Sequence, residues 1–292
     1  MQSMRRKRLR KWAVLIVLLV CLYLGFCYSL ALGYIHPRRV VPAKPPWAGE
    51  VLVPSRFGPT PCWATKGLSL GHPSKVVFVL VHGYGGTRGS WSDAIKDLHD
   101  RGYDSLTLAM PGQDASPAKS VGFGLSEAHV IVDAVHWLRG NTPPHTKIVV
   151  LGVSMGGAAT WIASAEDPSI DGIITEGAYA RFGEAMNCFF ERKMWGGSFI
   201  LAPVVSIAKR LTGLQPESVR PVDQAARWKG KPALIIQGGA DTLITADQAS
   251  DLAAAAGCPE WIVPGAQHAQ CYEVQKRQYL DHIVHFAEAL VK

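Results

Sequence analysis

Acidic residues are missing from residues 1–44, which carry nine basic ones: Arg5, Arg6, Lys7, Arg8, Arg10, Lys11, Arg38, Arg39 and Lys44. The +7 net charge of the 292-residue chain therefore belongs to one end, and residues 45–292 hold 21 basic against 23 acidic residues. A near-neutral body excludes a nucleic-acid footprint, which needs Lys and Arg concentrated on the folded domain. No Asn-x-Ser/Thr acceptor occurs, since Asn141 precedes Thr142-Pro143 and Asn187 precedes Cys188-Phe189; this favours a bacterial setting. No dinucleotide or phosphate loop is present. Only four cysteines, Cys62, Cys188, Cys258 and Cys271, lie outside the N-terminal apolar run. Pairing among them stays open, but Cys258 and Cys271 flank a short expected strand whose rise of about 3.3 Å per residue separates them beyond bridging distance unless the chain folds back.

Among what is present, the N-terminus speaks first. The basic cluster is followed by Trp12 to Ile35, about two dozen residues without a charge. At 1.5 Å per helical residue that run crosses a hydrocarbon core of roughly 30 Å. Flanking positive charge holds the N-terminus in the cytoplasm, so the remainder is expected on the far side of a plasma membrane, with the bilayer as a partner. The competing reading is a cleaved signal peptide, with Ser29 and Ala31 as the small residues before a cut; the apolar stretch exceeds the usual h-region of roughly 7–15 residues. The expected organisation is a basic tail (1–11), a transmembrane signal anchor (12–35), a Pro-rich linker (36–49) acting as an extended tether, and a catalytic domain (50–292).

In that domain, two short β-like pieces over residues 50–66 suggest an antiparallel edge hairpin. Continuous apolar strands follow at 76–81, 105–110, 148–153, 170–175, 233–237 and 261–263, and unalternated apolar runs mean burial on both faces. Helical spacing at Leu125–Arg139, Met155–Ala165, Ala246–Ala256 and Cys271–Val291 supplies the covers. The expected fold class is therefore α/β, a mostly parallel sheet with helices on both faces. More than fifty residues between Thr175 and Pro232 interrupt the rhythm. They predict a helical cap at about residues 178–225, over the carboxyl ends of the strands where ligands bind, or else an extra packing layer away from the site.

The chemistry sits in these breaks. Gly-Val-Ser-Met-Gly (152–156) follows an apolar strand and opens a helix, a turn that lifts the Ser154 hydroxyl above the sheet edge if its neighbours lack side chains. A serine needs a base within hydrogen-bond reach and a third group to orient that base. Asp241 follows the strand at 233–237 within Gly-Gly-Ala-Asp, and His268 follows the next strand; parallel strands deliver both loops to the serine's edge. Two backbone donors for an oxyanion are expected at Tyr84, in the His82-Gly83-Tyr84-Gly85-Gly86 loop, and at Met155.

With His-Gly before the oxyanion loop, a Gly-x-Ser-x-Gly elbow, Gly-x-x-Asp and a late Gly-x-x-His (Gly265 to His268), residues 50–292 resemble the serine-hydrolase branch of the α/β-hydrolase superfamily. The resemblance implies nucleophile Ser154, acid Asp241 and base His268, no cofactor and no metal. It also implies that dehalogenase and epoxide-hydrolase chemistry is disfavoured, since relatives running those reactions use aspartate at the elbow. One departure stands out. The loop after the second parallel strand often reads Gly-His-Gly-x-Ser in such enzymes and here reads PGQDAS (111–116), which bears on substrate choice.

Rival roles attach to several residues. Glu176 is an alternative triad acid because some relatives place it there. His82 precedes the serine and is better suited to packing and hydrogen bonding than to the base. His129, Asp133 and His136 share a helix face that could hold a metal but equally make a solvated face, and His282 and His285 are expected at the surface. Trp91, Trp161, Trp195 and Trp228 could line a pocket but suit a core. The expected function is a membrane-anchored carboxylic-ester hydrolase; a peptidase or amidase with the same triad, or a catalytically silent binding domain, are the alternatives.

Overall fold

The computed structural model describes residues 2–193 and 201–292. Its centre is an eight-stranded sheet in the order β1-β2-β4-β3-β5-β6-β7-β8. The strands are β1 (Gly49–Val53), β2 (Thr60–Ala64), β3 (Val76–Val81), β4 (Asp104–Leu108), β5 (Lys147–Val153), β6 (Gly172–Glu176), β7 (Ala233–Gly238) and β8 (Glu260–Val263). β1 and β2 form an antiparallel edge hairpin, β2 meets β4 antiparallel, and every pairing from β4 onward is parallel.

The unalternated strands are explained by two apolar layers. Along β3, Val77, Val79 and Val81 face α4 (Leu125–Asn141) and α5 (Met155–Glu166), whose Ile131, Val135, Leu138 and Ala159 are buried with them. The alternate residues Val76, Phe78 and Leu80 face α3 (Ser92–Asp100) and a C-terminal helix through Ile95, Leu98, Tyr279 and Ile283. Each strand residue thus loses its apolar surface to one helix layer or the other, at roughly 25 cal/mol per Å² buried. The expected helix over Cys271–Val291 is instead two pieces. They break at Gln275 (φ −134°), so numbering of the remaining helices runs α6 (Phe182–Lys193), α7 (Ala202–Thr212), α8 (Pro221–Arg227), α9 (Ala246–Ala256), α10 (Cys271–Val274) and α11 (Lys276–Ala289). A four-residue helix α2 (Lys66–Ser69) joins the hairpin to β3.

Chain order creates a switch point. From β3 the chain moves outward to β4, then returns across β3 to β5 and continues in the opposite direction, so the carboxyl ends of β3 and β5 form the crevice where open α/β sheets bind ligands. Register puts Val81 beside Gly152, Val153 beside Glu176, and Gly238 beside Val263. The loops after β3, β5, β6, β7 and β8 consequently leave from one rim.

Helix α1 (Gln2–Ile35) includes both the basic cluster and the apolar run, and is long and apolar enough, by length and composition, to cross a membrane. Most of it is exposed. Its last turns are not: Cys27, Ala31 and Ile35, at i, i+4 and i+8, are buried, with Cys27 and Ala31 packed against Phe190, Leu201 and Val204. The linker is correspondingly not the free tether its prolines suggest. Arg39 donates to the carbonyls of Ser116 (2.7 Å) and Ala118 (2.5 Å), His36 Nδ1 donates to Lys119 O (3.0 Å), and Val121 N–H donates to Ile35 O (3.0 Å). Fixed φ leaves a Pro-rich segment extended, but extended chain can still be bonded along its length; here side chains do it.

Within the expected cap, α6 and α7 stand over the rim beside Ser154, whereas α8 packs against α5 and α9 and belongs to the helix layer. The expected cap includes residues 194–200, and Trp195 lies there, outside the described residues. All six cysteines are free thiols.

Candidate active site

β5 ends in a tight turn, and Ser154 adopts φ +56°, ψ −121°, a left-handed conformation that few non-glycine residues take. Two glycines make the turn possible. A Cβ on Gly152 would stand 2.4 Å from the carbonyl of Gly156, and one on Gly156 would stand 2.5 Å from the carbonyl of Val81. Strand, turn and helix therefore close against one another with room for hydrogens only. Ser154 N–H donates to Glu176 O at 2.8 Å, tying the turn to β6.

His268 reaches this serine from 114 residues away in the chain. Ser154 Oγ donates to His268 Nε2 at 2.8 Å, and His268 Nδ1 donates to Asp241 Oδ2 at 2.7 Å. Asp241 is held in turn: its Oδ1 accepts from the backbone N–H groups of Leu243 (2.8 Å) and Ile244 (2.9 Å), and its side chain is fully buried. The two loops are stapled together, because Gly239 N–H donates to Val263 O (2.8 Å) and Ala240 N–H to Ala266 O (2.9 Å). A Cβ on Gly238 would lie 2.5 Å from Ala266 O, so glycine is required where the β7 and β8 loops touch.

The structure therefore brings Ser154, His268 and Asp241 into one hydrogen-bonded relay. Glu176, the alternative acid, is buried at the end of β6 but turned elsewhere. Its carboxylate accepts from Cys271 N–H (2.9 Å) and Tyr279 Oη (2.9 Å), and burial raises its pKa. It fixes the start of α10 just beyond His268. His82 is buried under the loop after β3, where Nδ1 donates to Gly83 O (2.9 Å) and Nε2 accepts from Met110 N–H (3.4 Å). Desolvation lowers its pKa to about 4, which keeps the ring neutral. Tyr84 and Met155 both border Ser154, and a Cβ on Gly83 would stand 3.1 Å from Ser154 Cβ, so the β3 loop lies directly against the elbow.

Other candidates disperse. Asp133 pairs with Arg56 and His136 with Asp167, and no cluster of three metal-ligating side chains exists among the described residues. His282 is exposed and stacks on Trp261. Trp161 and Trp228 are core; Trp91 is buried and borders the space in front of Ser154.

A scan against family models matches residues 76–203 to the alpha/beta hydrolase fold. The chain has the α/β-hydrolase fold. Among solved structures, this hydrolase-fold chain is similar to the esterase Pf2001 of Pyrococcus furiosus (TM-score 0.73, 18% identity, 88% of this chain and 100% of that one). It is also similar to Est1E from Butyrivibrio proteoclasticus (TM-score 0.59, 16% identity, 83% and 99%) and to a predicted CIB-like hydrolase from Thermoplasma acidophilum (TM-score 0.56, 19% identity, 82% and 97%). No curated protein matches the chain.

The PGQDAS loop, which the sequence pointed to for substrate choice, holds a buried ion pair. Asp114 (φ +48°) faces Arg88: Nε–H donates to Oδ2 at 2.9 Å and Nη2 to Oδ1 at 3.1 Å, while Arg88 N–H adds a further bond to Oδ2 at 2.9 Å. Both side chains are buried, and the guanidinium lies 4.9 Å from the centre of the Trp63 ring. The neighbouring Gln113 accepts the Gly85 N–H through Oε1, bracing the loop that carries Tyr84. Nothing in the sequence signals Arg88 as the partner. The end of α1 was missed as well: Tyr34 and Ile35 border the cavity in front of Ser154, and Tyr84 Oη donates to Tyr34 O at 3.1 Å.

Proposed function

We propose that the protein is a membrane-anchored serine hydrolase of carboxylic esters, with nucleophile Ser154, base His268, acid Asp241, and the Tyr84 and Met155 N–H groups as oxyanion donors. The observation that carries this is the unbroken relay from Ser154 Oγ through the imidazole to a carboxylate whose other oxygen is already saturated by two backbone donors. Asp241 holds the Nδ1–H tautomer, leaving Nε2 free to accept the serine proton. Ser154 Oγ then bonds to the acyl carbon, and negative charge builds on the carbonyl oxygen beside the donors. The ester C–O bond breaks as the His268 proton passes to the leaving alkoxide. Water, deprotonated by His268, attacks the acyl-enzyme, and the carboxylic acid and Ser154 are released. The route uses no cofactor and no metal.

Anchoring, with the N-terminus cytoplasmic and the catalytic domain outside a bacterial plasma membrane, is supported by the basic flank, by the length of the apolar helix and by the packing of its last turns. A cut after Ala31 would remove Cys27 and Ala31 from their buried contacts. The test is labelling of the full chain by a fluorophosphonate, followed by parallel ester and peptide panels. Ser154→Ala is expected to abolish labelling and to lower ester turnover on the order of 10⁶-fold. Full hydrolysis by pure Ser154→Ala protein would end the assignment, and cleavage of peptides in preference to esters would replace the ester reading with the peptidase one.

A further inference from the structure

Ser154 and His268 stand between two unlike spaces. On one side is a polar recess lined by Ser90, Ser92, Asp93, Tyr272 and Glu273, with Trp91 at its wall. On the other is a cavity of ≈290 Å³, walled by Phe123, Phe182, Met186, Phe190 and Val205, that continues to Tyr34 and Ile35 of α1. Its aromatic lining is ordered: Phe123 and Phe182 stack at 4.8 Å, and Tyr34 meets both Phe189 and Phe190 edge-on at 5.7 Å. A scissile ester at Ser154 would have to send one half of the molecule into each space. The apolar half suits a hydrocarbon chain: its wall is mostly aromatic and aliphatic, and Lys209 and Thr212 on it are already partnered, by Glu217 and Ala208 O, so a buried polar group would find little to replace water. The polar recess is bordered by Asp93 and Glu273 and by no Lys or Arg, so a phosphate- or sulfate-bearing alcohol would meet repulsion without a counter-ion.

Position decides where such a molecule comes from. The apolar residues of α1 are exposed up to Phe26, and helix packing against the domain begins with Cys27 and Ala31. Tyr34 and Ile35, at the end of the apolar run, are at once the last residues of the candidate span and part of the cavity wall. The apolar cavity is therefore walled in part by the end of the candidate span, whereas a cavity far from that helix would need its substrate dissolved in water.

We propose that the site takes long-chain acyl esters of an uncharged polyol directly from the membrane, and that α1 is a wall of the acyl pocket as well as an anchor. The proposal rests on the serine-hydrolase reading above and names its substrate class. The acyl chain lies against Tyr34 and the cap helices, the acyl carbonyl at Ser154, and the polyol oxygen leaves into the Asp93–Glu273 recess with the proton carried by His268.

The test uses the full chain in phosphatidylcholine vesicles that contain monoacylglycerols of increasing chain length, with p-nitrophenyl acetate as a soluble probe on the same sample. For p-nitrophenyl esters of increasing chain length supplied from water to the same sample, each added methylene is expected to raise kcat/KM about fourfold until the cavity is filled. A phosphate-bearing ester of the same acyl length, such as the matching lysophosphatidate, is expected to be turned over at least about tenfold more slowly. Ala208→Trp, which fills the cavity from α7, and Tyr34→Ala, which opens its α1 wall, should each lower the ratio of decanoyl to acetyl hydrolysis by about tenfold or more. Acetate hydrolysis with a flat chain-length profile, or faster turnover of the lysophosphatidate, overturns the lipid proposal and leaves the hydrolase reading standing. A long-chain preference with an unchanged ratio in Tyr34→Ala overturns the role of α1. Hydrolysis of neither probe, with no fluorophosphonate label, overturns the hydrolase reading itself.

Discussion

The two sides of Ser154 are built by different means. Behind it, Gly152, Gly156 and Gly238 let backbone meet backbone, and the β7 and β8 loops are stapled by main-chain bonds, so the reacting groups are placed by parts of the chain that no side-chain substitution easily moves. In front of it, the α1–α6–α7 wall is held by side chains: Cys27, Ala31, Phe190, Leu201 and Val204 form a small apolar cluster separate from the two main cores. The lesson is a division of labour. On the proposed mechanism, geometry for bond breaking comes from the sheet, and selection among substrates falls to a region that can be repacked at a cost of about 1–3 kcal/mol per overpacked position.

The sharpest way to break that comparison is to disturb the relay without touching the fold. In Asp241→Asn the side-chain oxygen can still accept from Leu243 and Ile244 N–H, but the amide presents a donor to His268 Nδ1 and selects the opposite tautomer. Turnover is expected to fall on the order of 10⁴-fold with little change in Tm, measured by ester hydrolysis and thermal unfolding of the same preparation. A fall of only a few-fold would mean that Glu176 or water orients the imidazole, and the rim would then be less rigidly assigned than its geometry suggests.

Sequence carried most of the sheet and little of its surroundings. The parallel strands β3 to β7 are legible because burial on both faces writes an apolar run, the edge strand β8 is legible although Ile262 is exposed, and α9 is legible to the residue because Gly257 (φ +63°) stops it. Helix α3 was not among the expected helices, since only Ala94, Ile95 and Leu98 mark its buried stripe. The residues now in the relay could be picked from motifs and chain order, because an elbow and two strand-end loops are local signals. Long-range pairings left no local trace. Arg88 precedes a turn, Gln113 sits in an irregular loop, and the meeting of Tyr34 with α6 depends on how two apolar helices dock, which no periodicity in either of them specifies.

The next largest effect concerns the loop where this chain departs from its relatives' pattern. Asp114→Ala removes the only carboxylate buried with Arg88, leaving Glu50, half exposed and 3.4 Å away, as the remaining anion. Breaking a buried ion pair from one side costs about 3–5 kcal/mol, because a charge stays behind without its partner. The denaturant midpoint should fall accordingly. Replacing both members by apolar residues of similar size, Arg88→Met with Asp114→Leu, should recover most of that loss. If the double variant is as unstable as the single one, the pair serves the shape of the Gln113–Gly85 brace and not its own charge balance, and the rim would rely on side chains more than the comparison allows.

The smallest expected effect tests the rim at its least polar point. His82 is buried with its pKa at about 4, against an ordinary value of 6.5, because desolvation penalises the imidazolium. The sign follows from linkage: an unfolded chain takes up the proton near pH 6.5, whereas the folded chain resists until about pH 4. Neutral His82 therefore leaves stability intact above pH 6.5, and the fall on acidification through that window is about 3 kcal/mol at most. Urea unfolding of wild type and His82→Gln across the window isolates this contribution. The wild-type curve should bend downward relative to the variant's as pH drops. Protonation would also turn Nε2 into a donor facing the Met110 N–H, loosening the contact that ties the β3 loop to the end of β4. Parallel curves would mean that the ring reaches water in the native state, and that the oxyanion loop owes its position to Gln113 alone.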